Sequence, residues 1–479
     1  MVTDARVSRR EFVLLAGAAA AGLALPRSSA AAPAARFATQ PNWQVPPVRV
    51  NHAPTGVAPG YVVAAPFTLG APPGAPASGP VILDNSGEPV WFLPLPRVES
   101  HNLRVQTYHG RPVLTWYEGA FGGSYGGSCV IYDFAYNEVK RVRGGHGLSC
   151  DLHEFLLTPR GTALLAIAAT VPRPGGPPIV EGVVQERDVD SGKVLFEWHS
   201  LDHVPVAESY RSEVTPAGNV DYFHLNSIDH DSDGNYLVSA RHTSTIYKVD
   251  RRSGRIIWRL GGMKSDFTLG DGASFAFQHD ARRQKDGTIT VFDNGAAAPG
   301  AEQVESASRP IRLRVDASHQ TATLVREYMP ELARSSDAMG NLQVLPDGGV
   351  FVGWGTAGGW TEFAPDGSVR YDASFADGRA SYRVFRFPWR GVPDSVPTVV
   401  LERNAAGLTA HVSWNGSTQV ASWRLLGGKA PRALARLTQV RRAGFETSLS
   451  IPSAPAHVAV AALDVHDREL ARTATISVH

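Results

Sequence analysis

The sequence predicts an all-β protein: a six-bladed β-propeller followed by a small C-terminal β-sandwich. Three observations carry this prediction. Gly (47) and Pro (34) are abundant in the 479 residues, while helix-period segments are scarce, so the chain is rich in turns. A hairpin unit recurs along most of the length. Residues 396–479 then change pattern, alternating in runs such as FETSLSIP and HVAVAALDV, as strands with one buried face do.

The N-terminus comes first. Ser8-Arg9-Arg10-Glu11-Phe12 opens an apolar run to Leu25, followed by the small-residue stretch Ser28–Ala35. This pattern reads as a twin-arginine (Tat) export signal over residues 1–35. The apolar run is too short to span a bilayer. The expected location is therefore extracellular or in the periplasm or cell envelope, with no integral membrane segment once the signal is removed. Charge is balanced, 46 Lys+Arg against 45 Asp+Glu, without a basic run. That excludes the electrostatic footprint of a nucleic-acid binder. Cys129 and Cys150 are the two cysteines. They can pair in an oxidising compartment or remain thiols, and their spacing does not decide between these. It gives no zinc signature either.

The propeller is expected over residues 36–395. Its outer hairpins read as strand, polar turn, then a strand ending in an aromatic: ILDNSGEPVWFL (82–93), RDVDSGKVLFEW (187–198) and KVDRRSGRIIWRL (248–260). Weaker copies are IYDFAYNEVKRV, RVDASHQTATLVREY and EFAPDGSVRYDAS. Six such hairpins imply six blades. Inner hairpins precede them, headed by His101, His153, His224, His279 and Asn341. First strands of propeller blades line the central channel, so these heads converge there although far apart in sequence. The segment VPDSVPT (392–398) reads as a linker to the sandwich, residues 396–479.

The acidic run DHDSDGN (229–235) resembles the start of a calcium loop. Its twelfth position is Ala240, where such a loop needs a bidentate Glu. It occupies the place of TPRG, QKDG and LPDG in the sister hairpins and is read as a turn.

FHLNSI (223–228), SARHTS (239–244), WRLGG (258–262), FQHDAR (277–282) and TVFDNG (290–295), in this order and spacing, resemble the arylsulfotransferase family of exported propellers. Members of that family move a sulfuryl group between phenols without the nucleotide donor PAPS. The resemblance implies that His279 is the nucleophile, transiently sulfated in a ping-pong cycle. It implies that His224 and Asn226 form the HxN pair, Asn226 binding substrate, that Arg241 is the active-site arginine, and that His153 is a further catalytic histidine. A polar residue from a later blade is also implied, with Asn341 and Thr356 as candidates. The implied partners are a small aryl sulfate donor and a phenol acceptor, with no cofactor.

The residue types suit this chemistry on their own terms. Sulfuryl transfer, like phosphoryl transfer, requires in-line positioning and stabilisation of charge on peripheral oxygens. An imidazole can attack sulfur, and a second can supply the proton that a phenol of pKa about 10 needs to leave. Arg241 offers a permanent donor fork for sulfate oxygens. A metal held by the histidines is not expected, because the arginine would repel it. His101 is read as structural, and His242 as a packing residue, since strand alternation turns it away from Arg241. Two other readings remain open at this stage: a non-catalytic extracellular propeller that binds a ligand, and a quinoprotein-like dehydrogenase.

Overall fold

The computed structural model describes residues 37–70, 79–120, 125–211, 214–215, 217–295 and 307–478; the expected export signal lies outside them. Among the described residues, regular structure is all strand apart from three single-turn 3-10 helices. No helix there is long and apolar enough to cross a membrane.

Six mainly antiparallel sheets account for the described chain from Val48 to Phe387. In chain order, the second contains Glu99–Tyr108, Arg111–Gly119, Tyr125–Tyr132 and Glu138–Val142, and the third Phe155–Leu157, Thr162–Val171, Ile179–Asp188 and Val194–His199. Leu225–His230, Tyr236–Ala240, Thr245–Val249 and Ile256–Gly261 make the fourth. His279–Arg283, Ile289–Asp293, Arg309–Asp316 and Thr321–Glu327 make the fifth, and Asn341–Val344 to Val369–Phe375 the sixth. The first sheet is composite: Tyr61–Phe67, Val81–Leu83 and Pro89–Phe92 are joined at their inner edge by Ala380–Phe387 from far along the chain.

The aromatic residues that end the outer hairpins explain how the sheets stack. Trp91, Trp198 and Trp258 are all buried. Trp198 reaches the fourth sheet, where its Nε1–H donates to Gly254 O at 3.0 Å. Trp258 packs with Ile289, Val291 and Ile311 of the fifth sheet. Each ring fills the groove between one sheet and the next, where a large apolar surface gives most burial. The inner strands also meet in sequence, and Ala380–Phe387 packs against both Asn341–Val344 and Glu99–Tyr108.

A cluster of buried charges lies where those inner strands meet. Glu154 pairs with Arg104 at 3.2 Å, with Arg383 at 3.3 Å and with Arg282. Asp280 pairs with Arg383 at 3.0 Å and Arg282 at 2.8 Å. Burial alone would raise the Glu154 carboxyl pKa. The three guanidiniums outweigh it and hold the group below its ordinary value.

DHDSDGN forms the hairpin turn expected of it, with Gly234 at φ +85°. Its carboxylates are held by cations: Asp231 by Arg283 (2.7 Å) and Lys248 (2.9 Å), and Asp233 by Lys248 (2.6 Å). Residues 398–477 form two further sheets that share a core of Leu408, Val412, Trp423, Leu425, Leu449 and Val460. In the segment before them, Val392 N–H donates to Phe134 O of the second sheet's last turn at 2.8 Å. Cys129 and Cys150 are buried free thiols.

Candidate active site

A cavity of about 420 Å³ opens where the inner strands of the third to fifth sheets end. His153, His224 and His279, which head inner hairpins, line it together with Arg241, which follows the second strand of one of them. Leu152, Val214, Ala338 and Met339 add apolar walls, and Tyr382 a ring. The rings lie close together: His153 to His224 at 4.9 Å between centroids, His153 to Tyr382 at 5.4 Å, His279 to Tyr382 at 6.2 Å.

A β-bulge follows the heads of the fourth and fifth sheets. Register shifts between Leu225 and Ser227 in the fourth sheet and between His279 and Arg282 in the fifth. Left-handed backbone accompanies it, φ +54° at His224 and +53° at Asp280. A bulge re-aims side chains and breaks the two-residue alternation. Asn226 therefore does not share the face of His224. It is fully buried outside the cavity lining, its Nδ2–H donating to Gln278 O at 2.6 Å.

His279 is held in one tautomer. The Asn294 amide donates to Ser336 O (2.7 Å) and Met339 O (3.0 Å), so its Oδ1 must face His279 Nδ1, 2.7 Å away. The proton is thereby assigned to Nδ1, and Nε2 carries the lone pair. That lone pair accepts the Met339 N–H at 3.1 Å. Burial, then the charge of Arg241, holds the His279 pKa well below that of a free imidazole, so the ring is neutral.

Arg241 is 8 % exposed. Its guanidinium donates to Asp337 O (2.8 Å) and His242 Nε2 (2.9 Å) and lies 5.1 Å over the Phe277 ring. Its Nε is buried without a partner. Burial, then Arg211, pushes its pKa down to about 10, which leaves it cationic at neutral pH. A buried guanidinium that lines a cavity is a site for an anion.

His242 corrects the sequence reading. The strand Tyr236–Ala240 ends before it, and residues 241–244 form a turn. Alternation no longer applies, so His242 lines the cavity beside Arg241, its Nδ1–H donating to Asp221 O at 2.6 Å. Asn341 and Thr356 stay outside the lining: Asn341 bonds the Val384 backbone at 3.0 and 2.9 Å, and Thr356 the Ser336 hydroxyl at 3.0 Å. From this later part of the chain, Ala338, Met339 and Tyr382 line the cavity.

Sequence reasoning also missed Asp221 and Asn294. Asn294 stood in the quoted TVFDNG motif. Asp221 stands three residues before His224, with its Oδ2 2.6 Å from His224 Nδ1. Asp221, His224 and His242 offer ligand atoms within 4.8 Å of one another. All three make hydrogen bonds, and the Arg241 charge adjoins them.

The model of the family described as arylsulfotransferase (ASST) matches residues 104–376, more than half of the chain. No curated protein matches. Among solved structures, a protein of unknown function from Bacteroides caccae is 14 % identical, covering 68 % of this chain and 98 % of its own, with TM-score 0.42. A catalytically inactive virginiamycin B lyase from Staphylococcus aureus, with quinupristin, is 8 % identical over 78 % and 97 %, TM-score 0.35. The β-propeller domain of Cps50 (Swd1) from Myceliophteria thermophila is 13 % identical over 76 % and 96 %, TM-score 0.36. With the match spanning His153, His224, Arg241 and His279, the chain belongs to the arylsulfotransferase family.

Proposed function

We propose that this protein transfers a sulfuryl group from an aryl sulfate ester to a phenol, without PAPS, through a sulfohistidine on His279. The observation that carries the reading is the pairing of a neutral imidazole, its lone pair on Nε2, with the buried cation of Arg241 on one cavity. The scaffold we propose is a six-bladed propeller over residues 36–395 with a β-sandwich over 396–479. The six sheets with inner strands meeting in sequence, and the two C-terminal sheets with one core, support it. Residues 1–35 would serve as the export signal.

The ester's sulfate oxygens bind the Arg241 guanidinium where it lines the cavity, and the ester's ring lies against the apolar wall. His279 Nε2 attacks sulfur in line with the departing phenol oxygen. The 3.1 Å bond from Met339 N–H must be exchanged for sulfur, which costs about 1–3 kcal/mol, small beside a chemical barrier. The acceptor phenol then attacks the sulfohistidine and regenerates His279. A second reading makes His224 the nucleophile, because its Nε2 has no hydrogen-bond partner among the described residues.

The test is purified protein with 4-nitrophenyl sulfate and no PAPS, with and without a phenol. Nitrophenol release that rises with acceptor concentration is expected. Release to water alone would mean a sulfatase, and saturable binding without release a ligand-binding propeller.

A further inference from the structure

We infer that Asp221 is a positioning residue that holds His224 as the proton carrier between the leaving and entering phenol oxygens. The inference rests on the transfer reading above.

The four cavity histidines differ in how they are bonded. His279 and His242 have both ring nitrogens engaged: His279 with Asn294 and Met339, His242 with Asp221 O and Arg241. Neither is free to exchange a proton with a substrate oxygen. His224 is bonded on one side only, through Nδ1 to Asp221 Oδ2 at 2.6 Å. Its Nε2 has no partner among the described residues, and its side chain is 22 % exposed against 7 % for His153. His153 stands 3.2 Å from Asp151, but its Nδ1 makes no hydrogen bond. His224 is thus the imidazole with a carboxylate behind it and an open nitrogen in front.

The carboxylate is anchored separately from the ring. Asp221 ends the short strand Val220–Asp221, which pairs in parallel with Ile179–Asp188 of the third sheet, whereas His224 leads into the fourth. The groups facing His224 are Asp221, His153, His242 and Arg241. Burial lowers the His224 pKa, and Asp221 offsets this only in part. A sulfate monoanion on Arg241 adds negative charge beside the ring and favours its protonated form, with Asp221 as counter-ion.

The proton then balances over the cycle. As the His279 Nε2–S bond forms and the S–O(aryl) bond breaks, the departing oxygen takes the proton from His224 Nε2. As the acceptor oxygen attacks sulfur and the N–S bond breaks, the acceptor's hydroxyl proton returns to His224. No proton is gained or lost overall.

The experiment compares Asp221→Asn with wild type on two donors, phenyl sulfate and 4-nitrophenyl sulfate, with thermal midpoints measured in parallel. Phenoxide is the poorer leaving group and depends more on acid help. For phenyl sulfate kcat/KM is expected to fall about 10²-fold, and for 4-nitrophenyl sulfate less than about 10-fold. Equal losses on both donors, or none on either, would overturn the inference. Wild-type protein that turns over neither donor would sink the transfer reading and this inference with it. If the Asn variant does not fold, histidine resonances of the wild type decide the matter. Inorganic sulfate is expected to raise the His224 titration midpoint, and an unchanged midpoint contradicts the assignment.

Discussion

His279→Ala is expected to lose acceptor-dependent aryl sulfate turnover by about 10⁴-fold or more, with its thermal midpoint close to wild type. The size follows from the role. Removing the nucleophile closes the covalent route, and what remains is whatever Arg241 and His224 do for direct attack by the acceptor. The ring's partners are Asn294, already bonded to two backbone carbonyls, and the Met339 N–H, so the fold loses two hydrogen bonds and no ion pair. Steady-state turnover with 4-nitrophenyl sulfate, together with a melting curve, checks this. Retention of wild-type turnover would remove His279 from the chemistry.

The second large effect is expected in stability. Arg383→Met should destabilise the protein by about 3–5 kcal/mol, because it leaves Glu154 and Asp280 buried with one cation fewer. Arg383 is wholly buried, and it also donates to His153 O (3.1 Å) and Asn226 O (3.0 Å), the backbone behind the cavity. The unfolding midpoint in urea should therefore fall, and turnover should fall with it even at temperatures where the variant is folded. The double variant Glu154→Gln with Arg383→Met should recover part of the loss, since it removes charges of both signs. A single variant as stable as wild type would mean that water reaches this cluster.

Much of the site was legible in the sequence because a repeat makes distance predictable. His153, His224 and His279 head equivalent hairpins, and Arg241 directly follows the partner strand of one of them, so all four meet at one cavity. Two placements depart from simple strand alternation. Reading alternate residues onto alternate faces assumes an unbroken strand, and the chain breaks that rule at the site. A bulge after His224 removes Asn226 from the lining, and a turn after Ala240 brings His242 into it. Tyr382 and Arg383 carried no signal, because the strand Ala380–Phe387 joins the first sheet by long-range pairing with Tyr61–Phe67. Asp221 was invisible for a similar reason: only the fold sets its carboxylate at His224 Nδ1.

The central claim is that His279 takes the sulfuryl group on Nε2. Its most direct test is peptide mapping after brief exposure to an aryl sulfate without acceptor, quenched at alkaline pH to preserve the N–S bond. One added SO₃ is expected on the peptide carrying FQHDAR, localised by fragmentation to His279, and lost when phenol is added. The same mass on the peptide carrying FHLNSI, localised to His224, would contradict the account.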